Sequence, residues 1–289
     1  MCDVSVSYHS CDFDYDTWAR EASEKYTLPP KCDTTHFDDS TDADAEEQQH
    51  WNSFFRNHKS GNFFRPRNYL YAEFEKWLEL PTDLDTEELG SIRIMEVGCG
   101  HGCSMYPLLK RMPILTEYIA TDYSANALTI LRENIAFSVE KRIKTAIWDV
   151  TLPPDYSHPY FQPSNHILCI FALSAVEPGR HLSAFCNMAS LLKPGGCILF
   201  RDYGLHDMTM YRHLKRRSEN LFVRSDRTLA YYFDLDYLRS LANSVGLIVV
   251  ELEYATIEVR NRKMTNCMKR VFVHAVLQKR HIDENVTSS

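Results

Sequence analysis

One segment limits what this chain can fold into more than any other. It is Glu96-Val97-Gly98-Cys99-Gly100-His101-Gly102, which closes the apolar run at residues 92–97. Glycines at a strand-to-helix turn let the backbone bend tightly and let a ligand approach the main chain. The pattern that follows repeats short apolar runs between amphipathic stretches. Strands are expected at 92–97, 117–121, 142–148, 166–173 and 197–200. Helices are expected at 103–111, from the cap Ser124 to about 138, and at 182–192, before a Pro194-Gly195-Gly196 turn. A helix at 234–245, stopped by Gly246, precedes long alternating strands at 247–259 and 268–277. Only a loop separates these last two, so they should pair antiparallel. The expected fold is α/β and Rossmann-like, with a mostly parallel seven-stranded sheet, an antiparallel last pair and helices on both faces.

Ligands of open α/β sheets bind beyond the carboxyl ends of the strands. Asp122 closes the second strand, 24 residues after Gly98, where a carboxylate can accept two ribose hydroxyls. Asp149 closes the third, where it can accept an adenine amino group beside the Val150 backbone. Each acid taken alone could be a helix cap or a solvated group, and Asp122 would also suit NAD. Together with a G-x-G-x-G loop rather than G-x-G-x-x-G, they favour S-adenosylmethionine (SAM), which has no phosphate to cradle. Glu96, Gly98, Gly100, Gly102, Asp122, Asp149 and Val150 are the candidate cofactor residues.

At the end of the fifth strand stands Arg201-Asp202-Tyr203-Gly204. Arg201 and Asp202 are polar where the sheet meets its ligand edge, with a buried salt bridge as the alternative reading. The net charge of −7 looks wrong for a partner of nucleic acid, but residues 1–50 carry −10 and the remainder +3. Two basic segments flank the candidate substrate edge: 201–230 has 7 Lys and Arg to 4 acids, and 256–281 has 7 to 1. Such runs are often only solvated faces, yet here they fit a phosphate backbone. The candidates are Arg212, Lys215, Arg216, Arg217, Arg224, Arg260, Lys263 and Arg270, with Arg56, Arg65 and Arg67 in the aromatic stretch 46–80.

Domain limits follow from composition. Residues 1–45, rich in Asp, Ser and Thr, read as a mostly disordered acidic tail with a short helix near 15–25. Residues 46–90 read as an aromatic and basic helical extension ending in an acidic connector at 81–90; its Trp51, Phe54, Phe55 and His58 recur at helical spacing. The catalytic domain is expected at 91–280 with a basic insertion at about 205–232, and 281–289 as a tail. Nine scattered cysteines without a C-x-x-C pair suit reduced thiols better than a zinc site. No apolar run approaches membrane-span length, and the acidic N-terminus looks unlike a targeting segment, so a cytoplasmic protein, with room for a nuclear pool, is expected.

The chain resembles the eukaryotic tRNA 3-methylcytidine methyltransferases over about residues 46–280. The matching stretches are Trp51-Asn52-Ser53-Phe54-Phe55, Asn62-Phe63-Phe64, the glycine loop and Ile170-Phe171-Ala172-Leu173-Ser174-Ala175-Val176. More specific are Leu199-Phe200-Arg201-Asp202-Tyr203-Gly204-Leu205 and Leu229-Ala230-Tyr231-Tyr232-Phe233, with Phe222-Val223-Arg224 and Arg270-Val271-Phe272-Val273. The resemblance implies a class I SAM-dependent fold and methylation of cytidine N3 in a tRNA anticodon loop. It also implies that Trp51 and Phe55 cover the cofactor and that Ile170 lines it, with a phenylalanine at 55 where a tyrosine is common. A protein partner such as seryl-tRNA synthetase is implied for some members.

Cytosine N3 already carries an in-plane lone pair, so the site needs to flip, align and desolvate the base rather than deprotonate it. Asp202 is expected to stabilise the cationic product, Arg201 to hold a phosphate or orient Asp202, and Tyr203 to stack or position the base. No cysteine stands at 171–176, which disfavours C5 chemistry. A methyltransferase of a protein or small molecule would leave the basic segments without a purpose. A non-catalytic RNA-binding subunit would be expected to lose the loop or its acids.

Overall fold

The computed structural model describes residues 10–32, 41–59, 63–78, 92–113, 115–260 and 267–281; of 41–45, 135 and 260 only the backbone is described. No described helix is long and apolar enough to cross a membrane.

Four helices come first: α1 (Tyr15–Lys25), α2 (Thr41–Asn57), α3 (Leu70–Glu73) and α4 (Glu75–Leu78). The alternating part then runs β1 (Arg93–Val97), α5 (Met105–Arg111), β2 (Glu117–Asp122), α6 (Ala125–Glu133), α7 (Ile135–Val139), β3 (Ile143–Ile147), β4 (Ser164–Ile170), α8 (His181–Ser190) and β5 (Leu192–Tyr203). Short strands β6 (Lys215–Arg216), β7 (Leu221–Val223) and β8 (Leu229–Tyr231) follow, then α9 (Leu235–Ser244), β9 (Leu247–Arg260) and β10 (Cys267–Lys279).

The main sheet has seven strands in the order β3-β2-β1-β4-β5-β10-β9. The first five are parallel, and β10 lies antiparallel between β5 and β9. The strand order reverses between β1 and β4, which opens the ligand crevice at the end of β1. Both faces are covered, so the central strands read as unbroken apolar runs. On one face Met105, Leu108 and Leu128 pack with Leu70, Phe74 and Leu78 from α3 and α4. On the other, Phe185 and Met188 of α8 join Leu238 and Leu241 of α9.

Three expectations change and one gains detail. The helix after Ser124 breaks at Asn134, whose backbone is extended and whose side chain accepts from Ala136 N to start α7. Pro194-Gly195-Gly196 is not a turn before a strand; β5 starts at Leu192 and bulges there against β4, with Gly195 at φ 78°. The insertion is a small antiparallel sheet, β6-β7-β8. Residues 10–32 are an ordered strap rather than a disordered tail. Asp14 caps α1 through Thr17 N, Thr256 N donates to Ser10 O, and Trp18 is buried with its Nε1 donating to His206 O at 2.8 Å. The helix itself was legible; its docking depends on Trp18, Ala22 and Val271 meeting across the chain. The connector at 81–90 and the end from 282 on lie outside the described residues.

Candidate active site

Gly98, at φ 65°, starts the turn after β1, and Cys99 N donates to Thr121 O. Gly100 N donates to Asp122 Oδ2 at 2.9 Å, and Ser124 N to Asp122 Oδ1 at 2.8 Å. Loop and acid are thereby locked to each other. Burial pushes the Asp122 carboxyl up to about 6, against the pull of these two hydrogen bonds. Asp149 caps its own turn through Thr151 N and Thr151 Oγ1. Val150, Trp148 and Ile170 supply apolar wall beside it.

Helix α2 closes this compartment from above. It is tied to the segment after β2 by Ser124 Oγ donating to Asn52 Oδ1 at 2.7 Å and Asn126 Nδ2 donating to Asn52 O at 2.8 Å. At its other end Glu47 pairs with Arg180 at 2.7 Å. Trp51 and Phe55 thus face the glycine loop. A Cβ on Gly100 would lie 3.5 Å from Phe55 Cζ, so the missing side chain leaves a slot between loop and lid.

The same cavity, of about 550 Å³, continues past Ile170 into a second compartment. Its walls are Phe171, Tyr203 and Phe272, with ring centroids 5.1 Å apart for Phe171–Tyr203 and 5.4 Å for Phe171–Phe272. Four guanidinium groups lie over these rings: Arg67 over Phe171 at 5.1 Å, Arg224 over Tyr203 at 5.6 Å, Arg270 over Phe272 at 4.9 Å and, from the buried side, Arg201 over Phe272 at 4.6 Å. Phe171 holds φ 55°, an unfavourable conformation for an aromatic residue and one found where function fixes the backbone. The volume falls in the usual range for small-ligand sites.

Two of the expected catalytic side chains are elsewhere. Strand β5 runs on to Tyr203, so Arg201 and Asp202 lie inside the sheet opposite His274 and Val273 of β10. Asp202 is 0% exposed and accepts from Ser174 N at 2.8 Å and Tyr203 N at 2.9 Å. Burial pushes its carboxyl up to about 6, and it does not line the cavity. Arg201, 1% exposed, pairs with Glu73 of α3. Glu73 Oε1 is also 3.0 Å from His274 Nδ1, while His274 Nε2 is 3.0 Å from Glu251 Oε2. Burial opposes the His274 charge, yet Glu73 and Glu251 hold its pKa above the ordinary range. The alternative buried-salt-bridge reading is therefore the one that fits Arg201. Tyr203 alone of the three reaches the cavity.

Of the cofactor candidates, Trp51, Phe55, Gly98, Gly100, Asp122, Asp149, Val150 and Ile170 line the cavity. Glu96 does not: it is buried beneath the loop, where it accepts from Tyr118 Oη at 2.8 Å. Gly102 does not either; it gives space to Tyr106 and Leu131, which a Cβ would meet at 2.8 and 2.7 Å. Of the basic candidates, Arg65, Arg67, Arg224 and Arg270 line the cavity. Arg56, Arg212 and Lys215 are exposed. Arg216 donates to Pro29 O of the strap, and Arg217 reaches Glu177 at 3.2 Å and Glu47 at 3.7 Å. The Arg260 side chain and Lys263 lie outside the described residues. Sequence reasoning missed Phe171 and Phe272 as walls, and Arg180 as the lid's ionic partner. Phe171 and Phe272 stand in matching stretches but read as core strand; nothing marked Arg180.

The donor set fits SAM. Two carboxylates stand at the ends of β2 and β3, glycines leave the slot, and the apolar walls beside Asp149 suit an adenine ring. The thiols facing this cavity stay protonated: burial pushes Cys103 up to about 11 and raises Cys99 as well. Cys169, near the end of β4, is buried in the core rather than in the cavity. No described thiol is thus poised for a C5 attack.

A family model described as a methyltransferase domain matches residues 95–198. The tRNA N(3)-cytidine methyltransferase METTL6 of Homo sapiens is 34% identical over 234 residues, 80% of each chain. The Drosophila melanogaster tRNA N(3)-methylcytidine methyltransferase Mettl2 is 36% identical over 68% of this chain and 60% of its own. The Saccharomyces cerevisiae tRNA(Thr) (cytosine(32)-N(3))-methyltransferase is 33% identical over 79% of this chain and 36% of its own. A SAM-dependent methyltransferase from Anabaena variabilis superposes over 86% of this chain and 100% of its own with TM-score 0.60 at 15% identity, which establishes the shared fold.

Proposed function

The chain belongs to the tRNA N(3)-cytidine methyltransferase family, and on that premise we propose how its cavity performs the reaction, with cytidine in a tRNA anticodon loop as substrate. One observation carries the reading. A single cavity joins a cofactor compartment, marked by Asp122 and Asp149, to an aromatic compartment rimmed by Arg67, Arg224 and Arg270. An aromatic wall with guanidinium groups at its edge is what a flipped base and its phosphates require.

When bound, SAM supplies an electrophilic methyl carbon on its sulfonium. Asp122 and Asp149 would hold its ribose and adenine ends, and Trp51 and Phe55 would exclude water above it. Tyr203, Phe171 and Phe272 would hold the base plane so that N3 faces that carbon. N3 would take the methyl through its own lone pair while the bonding pair returns to the sulfur of the departing S-adenosylhomocysteine, so no residue is needed to remove a proton first. The product base is cationic, and aromatic faces attract such charge. Asp202 acts at one remove, as a positioning residue: its two backbone hydrogen bonds tie the turn at Ser174 to Tyr203. Arg212 and Lys215, both exposed, would meet RNA phosphates outside the cavity.

The proposal extends to a protein partner such as seryl-tRNA synthetase, which the family resemblance favours. It also places the reaction in the cytoplasm, with a nuclear pool allowed; the eight described cysteines are all free thiols, as a reducing compartment keeps them. The atom assignment is tested with an anticodon stem-loop RNA carrying 3-deazacytidine at the target. Methyl incorporation into the cytidine RNA and none into the deaza RNA is expected. Equal incorporation into both would remove N3 as the acceptor.

A further inference from the structure

Phe63 stands apart from the other aromatics of the cavity. It lines the same cavity but is 54% exposed, one of the exposed large apolar residues. Its ring is nevertheless fixed, in edge contacts with Phe54 at 4.9 Å, His58 at 4.5 Å and Phe64 at 4.8 Å between centroids. Such an arrangement leaves apolar ring surface in solvent while the side-chain entropy is already spent. Next to it in the chain Arg65, which lines the same cavity, is exposed and is in no ion pair among the described residues. The ledge is therefore cationic as well as aromatic.

Resting on the RNA substrate proposed above, we infer that Phe63 is a second base-stacking subsite, for the nucleotide that neighbours the flipped cytidine. Flipping a base breaks its stack on that neighbour. A solvent-facing aromatic ring in the same cavity replaces the lost stack, and the guanidinium of Arg65 meets an intervening phosphate. The charge around the ring selects a polyanionic strand over an apolar peptide. Phe63 makes no contact with the reacting atoms; it sets affinity and the preference for a stackable neighbour.

The test measures binding of a fluorescent anticodon stem-loop to the full chain by anisotropy. Three RNAs are compared: intact, abasic on the 5′ side of the target, and abasic on its 3′ side. Phe63→Leu keeps apolar packing without a stacking face and should weaken intact RNA about 5- to 140-fold, the range for one base–aromatic stack. One abasic RNA should bind wild-type protein as weakly, with no further loss on Phe63→Leu. Phe63→Tyr should restore binding. SAM affinity, read separately, should stay unchanged in both variants. Unchanged RNA affinity in Phe63→Leu, or an equal loss on all three RNAs, would overturn the subsite. A loss of SAM binding in Phe63→Leu would instead assign the ring to support of the lid and equally overturn it. If wild-type protein binds none of the RNAs above background, the RNA reading itself has failed, an outcome distinct from these.

Discussion

Protonation of Asp122 should set the affinity for SAM across the acid range. Burial raises this carboxyl to about 6 even though Gly100 N and Ser124 N both bond to it. Hydroxyl donors of the ligand favour the ionised form, so binding expels a proton below that pKa. Affinity must then rise with pH through 6 and level off above it. With a pKa near 6 the protonated fraction falls from about nine-tenths at pH 5 to about one-tenth at pH 7, so Kd should tighten about tenfold over that interval. Asp122→Asn removes the titrating group and a charged acceptor worth about 1.5–3 kcal/mol. Its Kd at pH 7.5 should be about 10- to 140-fold weaker and flat with pH. Trp51 and Trp148 line the cavity, so intrinsic fluorescence reports the titration, with calorimetry as the check. Asp202 is pushed up to a similar value, so Asp202→Asn is the control and should keep the slope. A flat wild-type profile, or an undiminished slope in Asp122→Asn, would refute the assignment.

Other outcomes follow from the same geometry. Gly98→Ala places a Cβ 2.6 Å from Ala172 Cβ on a backbone at φ 65°, so SAM affinity should fall at least about tenfold by titration. Asp202→Asn leaves one of two backbone donors facing an amide hydrogen; chemical denaturation should show a loss of about 1–3 kcal/mol, with SAM affinity kept and turnover reduced through Tyr203. Glu73→Leu removes the carboxylate shared by Arg201 and His274 in the core and should cost about 3–5 kcal/mol, whereas a surface pair would cost almost nothing. Trp18→Ala should release the strap to limited proteolysis within residues 10–32 while leaving SAM affinity unchanged, because Trp18 packs on Val271 and His206, away from the cavity.

What could be read in advance was what is encoded locally. The glycine loop and the acids closing β2 and β3 sit within a few residues of the strands that place them, so periodicity and motif located Asp122 and Asp149. The same holds for α1, whose cap Asp14 and helical stretch are contiguous. Arg201 and Asp202 show the limit. Their environment is fixed by β10, some 70 residues later, which pairs opposite them and buries both. Local sequence showed two charges near a ligand edge; only the long-range register decides that one pairs with Glu73 and the other with backbone amides. Phe171 is similar: it follows an apolar strand and reads as core, and its left-handed backbone turns it into a wall of the chamber. The acidic composition of residues 1–45 hid Trp18, a single buried ring that anchors the strap.

The central claim is that this cavity methylates cytidine N3 in tRNA. It is tested most directly by nucleoside mass spectrometry on tRNA from cells lacking 3-methylcytidine, after incubation with the purified chain and SAM, with and without seryl-tRNA synthetase. New 3-methylcytidine is expected in at least one arm, with its loss in Asp122→Asn. A chain that binds SAM yet forms no 3-methylcytidine in either arm, or that methylates a different atom, would contradict it.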